Sequence, residues 1–198
     1  MIVVDQGSKN GDADKLIADA GRFDFLKVHL LPENVGFPAG CNVGLKCAAG
    51  EFIVYTNNDV TLSGDWLTPI IETLKEKPRS LVGISLVEKG GWNEFEKDGV
   101  KFAIPWMEGY LIGVTRGFCE EVGDFDEAFG IGSLEDLDLS WRAQKAGYEM
   151  IVLPEVEMVF HHMRGKTVYD PKMPIDQMSI SKANYEMMKQ RVADGFYD

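Results

Sequence analysis

Apolar and polar positions alternate in blocks through the first half of the chain. "MIVVD" is a short apolar run that predicts a buried strand, and "SKNGDADKLIADAG" follows as a turn and an amphipathic helix stopped at Gly21. "FLKVHLL" predicts a second strand, "PAGCNVGLKCAAG" a small-residue helix ended by Gly50, and "EFIVYTN" a third strand. In "SGDWLTPIIETLKEKP" the residues Trp66, Leu67, Ile70, Ile71 and Leu74 fall on one helical stripe, and Pro69 sits early enough to be tolerated. "SLVGISLV" then returns to strand. Strands alternating with helices imply right-handed βαβ units and a parallel sheet.

Beyond about Gly90 the pattern changes. "GGWNEFEKDG" is a glycine-bounded loop, and "VKFAIPWMEGYLIGVTR" reads as extended. "SLEDLDLSWRAQKAG" is a short helix with Ser133 as its expected N-cap and Gly147 as its stop. "YEMIVLPEVEMVFHH" is a pair of strands broken at Pro154, and "PIDQMSISKANYEMMKQRVADG" is a closing helix. No repeat, low-complexity tract or Ser/Pro-rich linker interrupts this order. The expected architecture is therefore one α/β domain over 1–198, with a mostly parallel sheet in 1–90 and a mixed half in 91–198.

Composition narrows the class without changing it. A chain of 198 residues with 45% hydrophobic content can bury one sizeable core. No apolar run approaches a membrane span, and Met1 onward lacks the basic-then-apolar pattern of a signal peptide, so a cytoplasmic protein is expected. Cys41, Cys47 and Cys119 are scattered at no metal-ligand spacing and read as reduced core residues. A net charge of -12 repels nucleic acid and bare anionic membrane. It leaves room for a phosphate-bearing small molecule, because a metal ion or a local basic cluster can reverse the field at one site.

Parallel sheets bind ligands beyond the carboxyl ends of their strands. Three polar clusters fall at such ends: Asp5 with "QGSKNGD", Asn57–Asn58–Asp59 after "FIVYT", and His161–His162. Each has an ordinary local role, since Asn and Asp shape turns by bonding to their own backbone. Their shared placement at strand ends is what suggests a site.

Four blocks in order, "IVVDQGSKNGD", "PENVGFPAGCNVGLKCAAGEFIVYTNNDV", "VGDFDEAFG" and "EDLDLSWRAQKAGY", resemble the family 2 glycosyltransferases, the inverting nucleotide-sugar-dependent enzymes of the GT-A fold. The resemblance runs from Ile2 to about Thr167 and leans toward rhamnosyltransferase-like and related cell-surface polysaccharide enzymes. It implies a three-layer GT-A-like sandwich, a UDP-, dTDP- or GDP-sugar donor, a saccharide or lipid-linked acceptor, and a divalent metal, Mn2+ or Mg2+. By the same resemblance Asp59 is the retained acid of the family's strand-end motif and a metal ligand, with Asn57 and Asn58 toward ribose or sugar hydroxyls. Asp5, Gly7 and Ser8 match the nucleotide-binding turn. Asn34, with Gly36 and Asn42, matches a segment whose role is chiefly to shape the turn and helix under the donor.

"ED" matches the family's general-base motif. The base is read as Asp136, with Glu135 as the alternative and Asp138 supporting the helix through Arg142. Local chemistry offers another role for the same residues: Ser133 and Asp136 have capping-box-like spacing, and acids are favourable in a first helical turn. A carboxylate near its ordinary pKa would already be ionised at neutral pH, so positioning is expected to matter more than a shift. Trp106, Glu108 and Gly109 match a segment bordering the acceptor, where Trp106 would stack on a sugar or simply pack in the core. "HMRGKT" matches the family's closing motif, which makes His162 a metal or diphosphate contact and places Arg164 and Lys166 near the leaving phosphate.

The family pattern opens with one more strand and helix than precede "VVD" here. The expectation is a shortened sheet whose exposed edge favours self-association. A noncatalytic nucleotide-sugar-binding or partner-binding domain is the competing reading. A lipid-linked acceptor would bring the protein to a membrane surface.

Overall fold

β1 (Ile2–Gln6) and β2 (Lys27–Leu31) pair in parallel, with Asp5 opposite Leu30, and α1 (Asp12–Ala20) makes the crossover between them. The computed structural model describes residues 1–9, 11–88, 90, 92–157, 160–162 and 176–198. Its contacts divide the chain into two units, 1–50 with 125–132, and 51–124 with 133–198.

In the first unit α2 (Phe37–Cys47) follows β2, with Pro38 in its opening turn, where a missing N–H costs nothing. The helix stops at Cys47, short of the Gly50 end expected from sequence. Asn42 on this helix is buried and fastens the returning segment: its Nδ2 donates to the Phe125 carbonyl (2.8 Å) and to Glu127 Oε1 (2.9 Å), and its Oδ1 accepts from the Phe125 N–H (3.1 Å). A buried amide with all these partners is structural, in line with the role the sequence suggested for its motif.

The second unit is built on a four-stranded sheet. β3 (Phe52–Thr56) is followed by β4 (Val60–Leu62), α3 (Leu67–Glu76), β5 (Ser80–Gly83), β6 (Leu86–Val87), β7 (Glu94–Lys97), β8 (Val100–Ala103), β9 (Trp106–Met107) and β10 (Leu111–Thr115). Then come α4 (Arg116–Val122), α5 (Glu135–Lys145), β11 (Glu149–Val152), α6 (Pro154–Glu157), β12 (Phe160–His162) and α7 (Gln177–Ala193). The sheet order is β11-β5-β10-β3, with β11 parallel to β5 and β10 antiparallel to both its neighbours. β10 thus separates two strands that a simple βαβ reading would place side by side. The apolar stripe of α3 covers this sheet: Ile70 and Leu74 pack with Val82, Ile84, Leu111, Leu153 and Val156. A methyl on Gly113 of β10 would come 2.5 Å from Ile70 Cγ2, so the helix lies close on the strand.

Local expectations fail where tertiary partners intervene. Pro154 does not merely break a strand pair but opens α6, because proline is well suited to a first helical position. Ser133 does not cap α5. Leu134 precedes the helix in the left-handed region (φ 70°) without a side-chain cap, and the Ser133 hydroxyl is bonded instead to Ser181 of α7 at 2.7 Å. The stop at Gly147 (φ 79°) is as expected, with Gly147 N–H on the Gln144 carbonyl (3.0 Å) and Tyr148 N–H on that of Ala143 (2.9 Å).

Candidate functional site

In the first unit the end of β1 forms a tight polar turn. Asp5 is buried, and its Oδ1 accepts the Ser8 N–H at 3.1 Å. Gly7 turns the chain at φ 74°, where a Cβ would meet the Pro32 carbonyl at 2.8 Å. Only glycine fits that close approach without strain. Asn34 Oδ1 accepts the Gly36 N–H at 2.9 Å, a local turn of the kind asparagine favours. Asp5, Gly7 and Ser8 therefore form one constellation, and Asn34 shapes the turn before α2.

In the second unit the structure links three motifs that are far apart in sequence. The Asn57 N–H, just past β3, donates to the Tyr110 carbonyl at 3.3 Å, and Thr56 Oγ1 donates to the same oxygen at 3.1 Å. One residue earlier, the Gly109 N–H donates to Asp136 Oδ2 at 2.8 Å. A Cβ on Gly109 would lie 3.1 Å from Asp136 Cβ, so glycine permits the approach of this loop to α5. Glu108 completes the loop: its Oε2 accepts from Ser85 Oγ (2.5 Å) and Tyr110 Oη (2.9 Å). Ser85 and Tyr110 were not singled out from sequence, because neither has a local pattern that marks it as the partner of a distant acid.

The electrostatics of this cluster are unusual for acids at a helix start. Burial, followed by the charge of neighbouring Asp136, raises the proton affinity of Glu135, while backbone hydrogen bonding at Glu135 and Ser133 opposes the rise. Burial also raises Asp136, with Glu108 adding to it, against the hydrogen bonds from Gly109 and Leu137. The expectation of an ordinary Asp136 pKa is thereby corrected: the helix N-terminus stabilises an anion, but desolvation and a ring of acids outweigh it. Glu135 is 7% exposed, and its Oε2 is buried with no hydrogen-bond partner among the described residues.

Asp138 plays a different part. Fully buried, it accepts from Arg142 Nε (2.8 Å), Tyr197 Oη (2.7 Å) and Arg191 (3.4 Å). Through Arg191 and Tyr197 it holds α5 to the C-terminal segment, and within α5 it makes the Arg142 pairing expected from sequence.

Trp106 on β9 is half-buried, and its indole Nε1 is buried with no hydrogen-bond partner among the described residues. Asn57 Oδ1 is in the same condition, whereas Asn58 is exposed. Asp59 is only 8% exposed, and β4, which starts at the next residue, pairs with β12. In that antiparallel pair His162 stands opposite Val60, one residue from Asp59 in register. Arg164 and Lys166 lie outside the described residues. No three His, Cys, Asp or Glu side chains converge on a point among the described residues.

Comparison with known proteins places the chain in a family. The model of glycosyl transferase family 2 matches residues 1–126. Polypeptide N-acetylgalactosaminyltransferase 11 of Xenopus tropicalis is 25% identical over 202 residues, covering 85% of this chain and 33% of that protein. The chain thus spans about a third of that curated relative's length. Among solved structures, the mannosyltransferase of Pyrobaculum calidifontis in complex with GDP-Man and Mn2+ superposes with a TM-score of 0.60 at 20% identity, over 78% of this chain and 45% of that one. GalNAc-T7 with UDP, GalNAc and Mn2+ gives a TM-score of 0.63 at 13% identity, over 77% and 36%. These structural likenesses show a GT-A fold. With a family model covering well over half of its length, the chain belongs to glycosyl transferase family 2.

Proposed function

We propose that this chain moves a sugar from a nucleotide-sugar donor to an acceptor hydroxyl with inversion, and that Asp136 is the general base. The observation that carries this reading is the Gly109–Asp136 hydrogen bond, which fixes a half-buried carboxylate of raised proton affinity beside the loop after β9 and the end of β3. As the acceptor oxygen attacks the anomeric carbon, Asp136 takes its proton, and the bond from that carbon to the diphosphate oxygen breaks on the opposite face. Burial that raises proton affinity suits a base whose task is to accept a proton near neutral pH. Glu135, adjacent and buried, is the alternative acceptor of that proton.

Asp5, Gly7 and Ser8 would hold the nucleoside, with Asn34 shaping their surroundings. Asn57 and Asn58 would meet ribose or sugar hydroxyls, and Oδ1 of Asn57, which has no hydrogen-bond partner among the described residues, is a ready acceptor for one. A divalent cation, when bound, would neutralise the diphosphate as it leaves, with Asp59 and His162 as protein ligands and phosphate and water as the rest of its shell. Structural neighbours solved with Mn2+ and nucleotides support a divalent metal by analogy. Trp106, Glu108 and Gly109 would border the acceptor, and Arg164 and Lys166 would serve the leaving phosphate. We place the protein in the cytoplasm, acting on a saccharide or lipid-linked acceptor.

One observation favours a second reading. The raised proton affinity of both Glu135 and Asp136 would also suit a site that binds donor hydroxyls without turnover. A panel of nucleotide sugars, with and without Mn2+, read by thermal stabilisation and by nucleotide release, separates the two readings. Ligand binding raises the melting temperature by mass action whatever the acceptor. Stabilisation with nucleotide release that Asp136→Asn lowers about a hundredfold to ten-thousandfold supports catalysis. Stabilisation without release supports the binding domain. The anomeric configuration of the product tests inversion.

A further inference from the structure

Two consecutive residues ahead of the acidic pair adopt the left-handed conformation, Ser133 at φ 81° and Leu134 at φ 70°. Neither is glycine, so steric repulsion opposes both, and surrounding contacts must hold them there. Contacts to Ser133 come from α7. Ser181 Oγ lies 2.7 Å from Ser133 Oγ, and Asn184 Nδ2 donates to the Ser133 carbonyl at 2.8 Å. Ser181 and Asn184 are both buried polar residues, three apart on one helical face. Leu134 is itself buried, and its carbonyl accepts the Asp138 N–H at 3.0 Å, which opens α5. Arg191, at the other end of α7, reaches Asp138.

We infer that Ser181 and Asn184 are positioning residues: they hold the Ser133–Leu134 turn in its left-handed form, and that turn sets Glu135 and Asp136 against the Gly109 loop. The inference rests on the reading of Asp136 as the base for its catalytic consequence, but not for its structural content. Without the tether from α7 the turn relaxes toward an ordinary backbone, α5 begins differently, and the two carboxylates lose both their aim and their shelter from water. The groups facing them are the Glu108 carboxylate on the β9–β10 loop, the Gly109 N–H and, further along α5, Asp138.

The test uses the full chain carrying Ser181→Ala or Asn184→Ala, with melting temperature followed from acid to alkaline pH. Nucleotide release is followed with whichever sugar of a UDP-, dTDP- and GDP-sugar panel the wild type turns over. Wild type should lose stability as pH rises, because the folded state holds protons on Glu135 and Asp136 that the unfolded chain has released. In either variant that slope should flatten as water reaches the carboxylates, while release falls roughly tenfold to hundredfold with little change in donor KM. Ser133→Gly in the Asn184→Ala background should restore much of both, since glycine takes the left-handed conformation without strain. A uniform drop in melting temperature with an unchanged slope overturns the inference and leaves Ser181 and Asn184 as packing residues. So does a flattened slope with unchanged release in an active protein. If the wild type releases no nucleotide, the slope alone decides the positioning, and the catalytic reading fails separately. If Asn184→Ala does not fold, the single hydroxyl lost in Ser181→Ala carries the test.

Discussion

The backbone N–H of Gly109 lies 2.8 Å from Oδ2 of Asp136, a hydrogen bond across 27 residues of sequence that joins a strand-end loop to the first turn of α5. It holds one oxygen of the carboxylate, while Oδ1 accepts from the Leu137 N–H at 2.9 Å. Asp136 is therefore fixed in direction although desolvation raises its proton affinity.

Gly109→Ala should separate aim from fold. The added methyl would sit 3.2 Å from Asp136 Oδ2, and the loop or the carboxylate must give by a few tenths of an ångström. Nucleotide release is expected to fall roughly tenfold to hundredfold, with the melting temperature only modestly lower. Release at the wild-type rate would remove this hydrogen bond from the catalytic argument.

Glu135→Gln should change how stability depends on pH. Glu135 has a raised folded-state pKa, so its contribution is fully present below the unfolded value and is lost as pH rises through the folded one. The window runs upward from the ordinary carboxylate range. The neutral amide cannot ionise, so the variant should match or trail wild type in acid and gain on it toward alkaline pH. Melting curves on both proteins across that range check this, and parallel curves would contradict it.

Asp138→Ala should unfold the protein more than it slows the chemistry. Removing the carboxylate leaves Arg142, Arg191 and Tyr197 without their shared acceptor in a buried setting. Breaking such a pair by removing one partner costs about 3–5 kcal/mol. Denaturant unfolding measures the loss directly. A variant as stable as wild type would show that α5 is held by packing alone.

Asp59→Asn should abolish the Mn2+-dependent part of nucleotide-diphosphate binding and keep the metal-independent part. Because Asp59 is buried, some loss of melting temperature is also expected. Calorimetric titration of UDP and GDP with and without Mn2+ checks it, and equal metal dependence in both proteins would move the metal elsewhere.

How much of this was legible without coordinates depends on how local the determinant is. The alternation of β1, α1, β2, α2 and β3 follows from apolar periodicity, and the Gly147 stop follows from a backbone conformation that glycine adopts cheaply. The ordered motifs around Asp5, Asn34, Asp59 and Asp136 carried the family assignment for the same reason: each is a contiguous string. Contiguity is also where the sequence reading failed. Ser133 looked like a helix cap because only its neighbours were visible, yet its hydroxyl goes to Ser181. Asp136 looked like an ordinary acid, since desolvation and the proximity of Glu108 are properties of a folded environment. The insertion of β10 between β5 and β3, the Gly109–Asp136 bond and the Asp138 cluster join residues far apart in the chain. Local preference sets which elements form. Side-chain partners supplied across the fold decide which carboxylate is paired with arginine and which have their proton affinity raised.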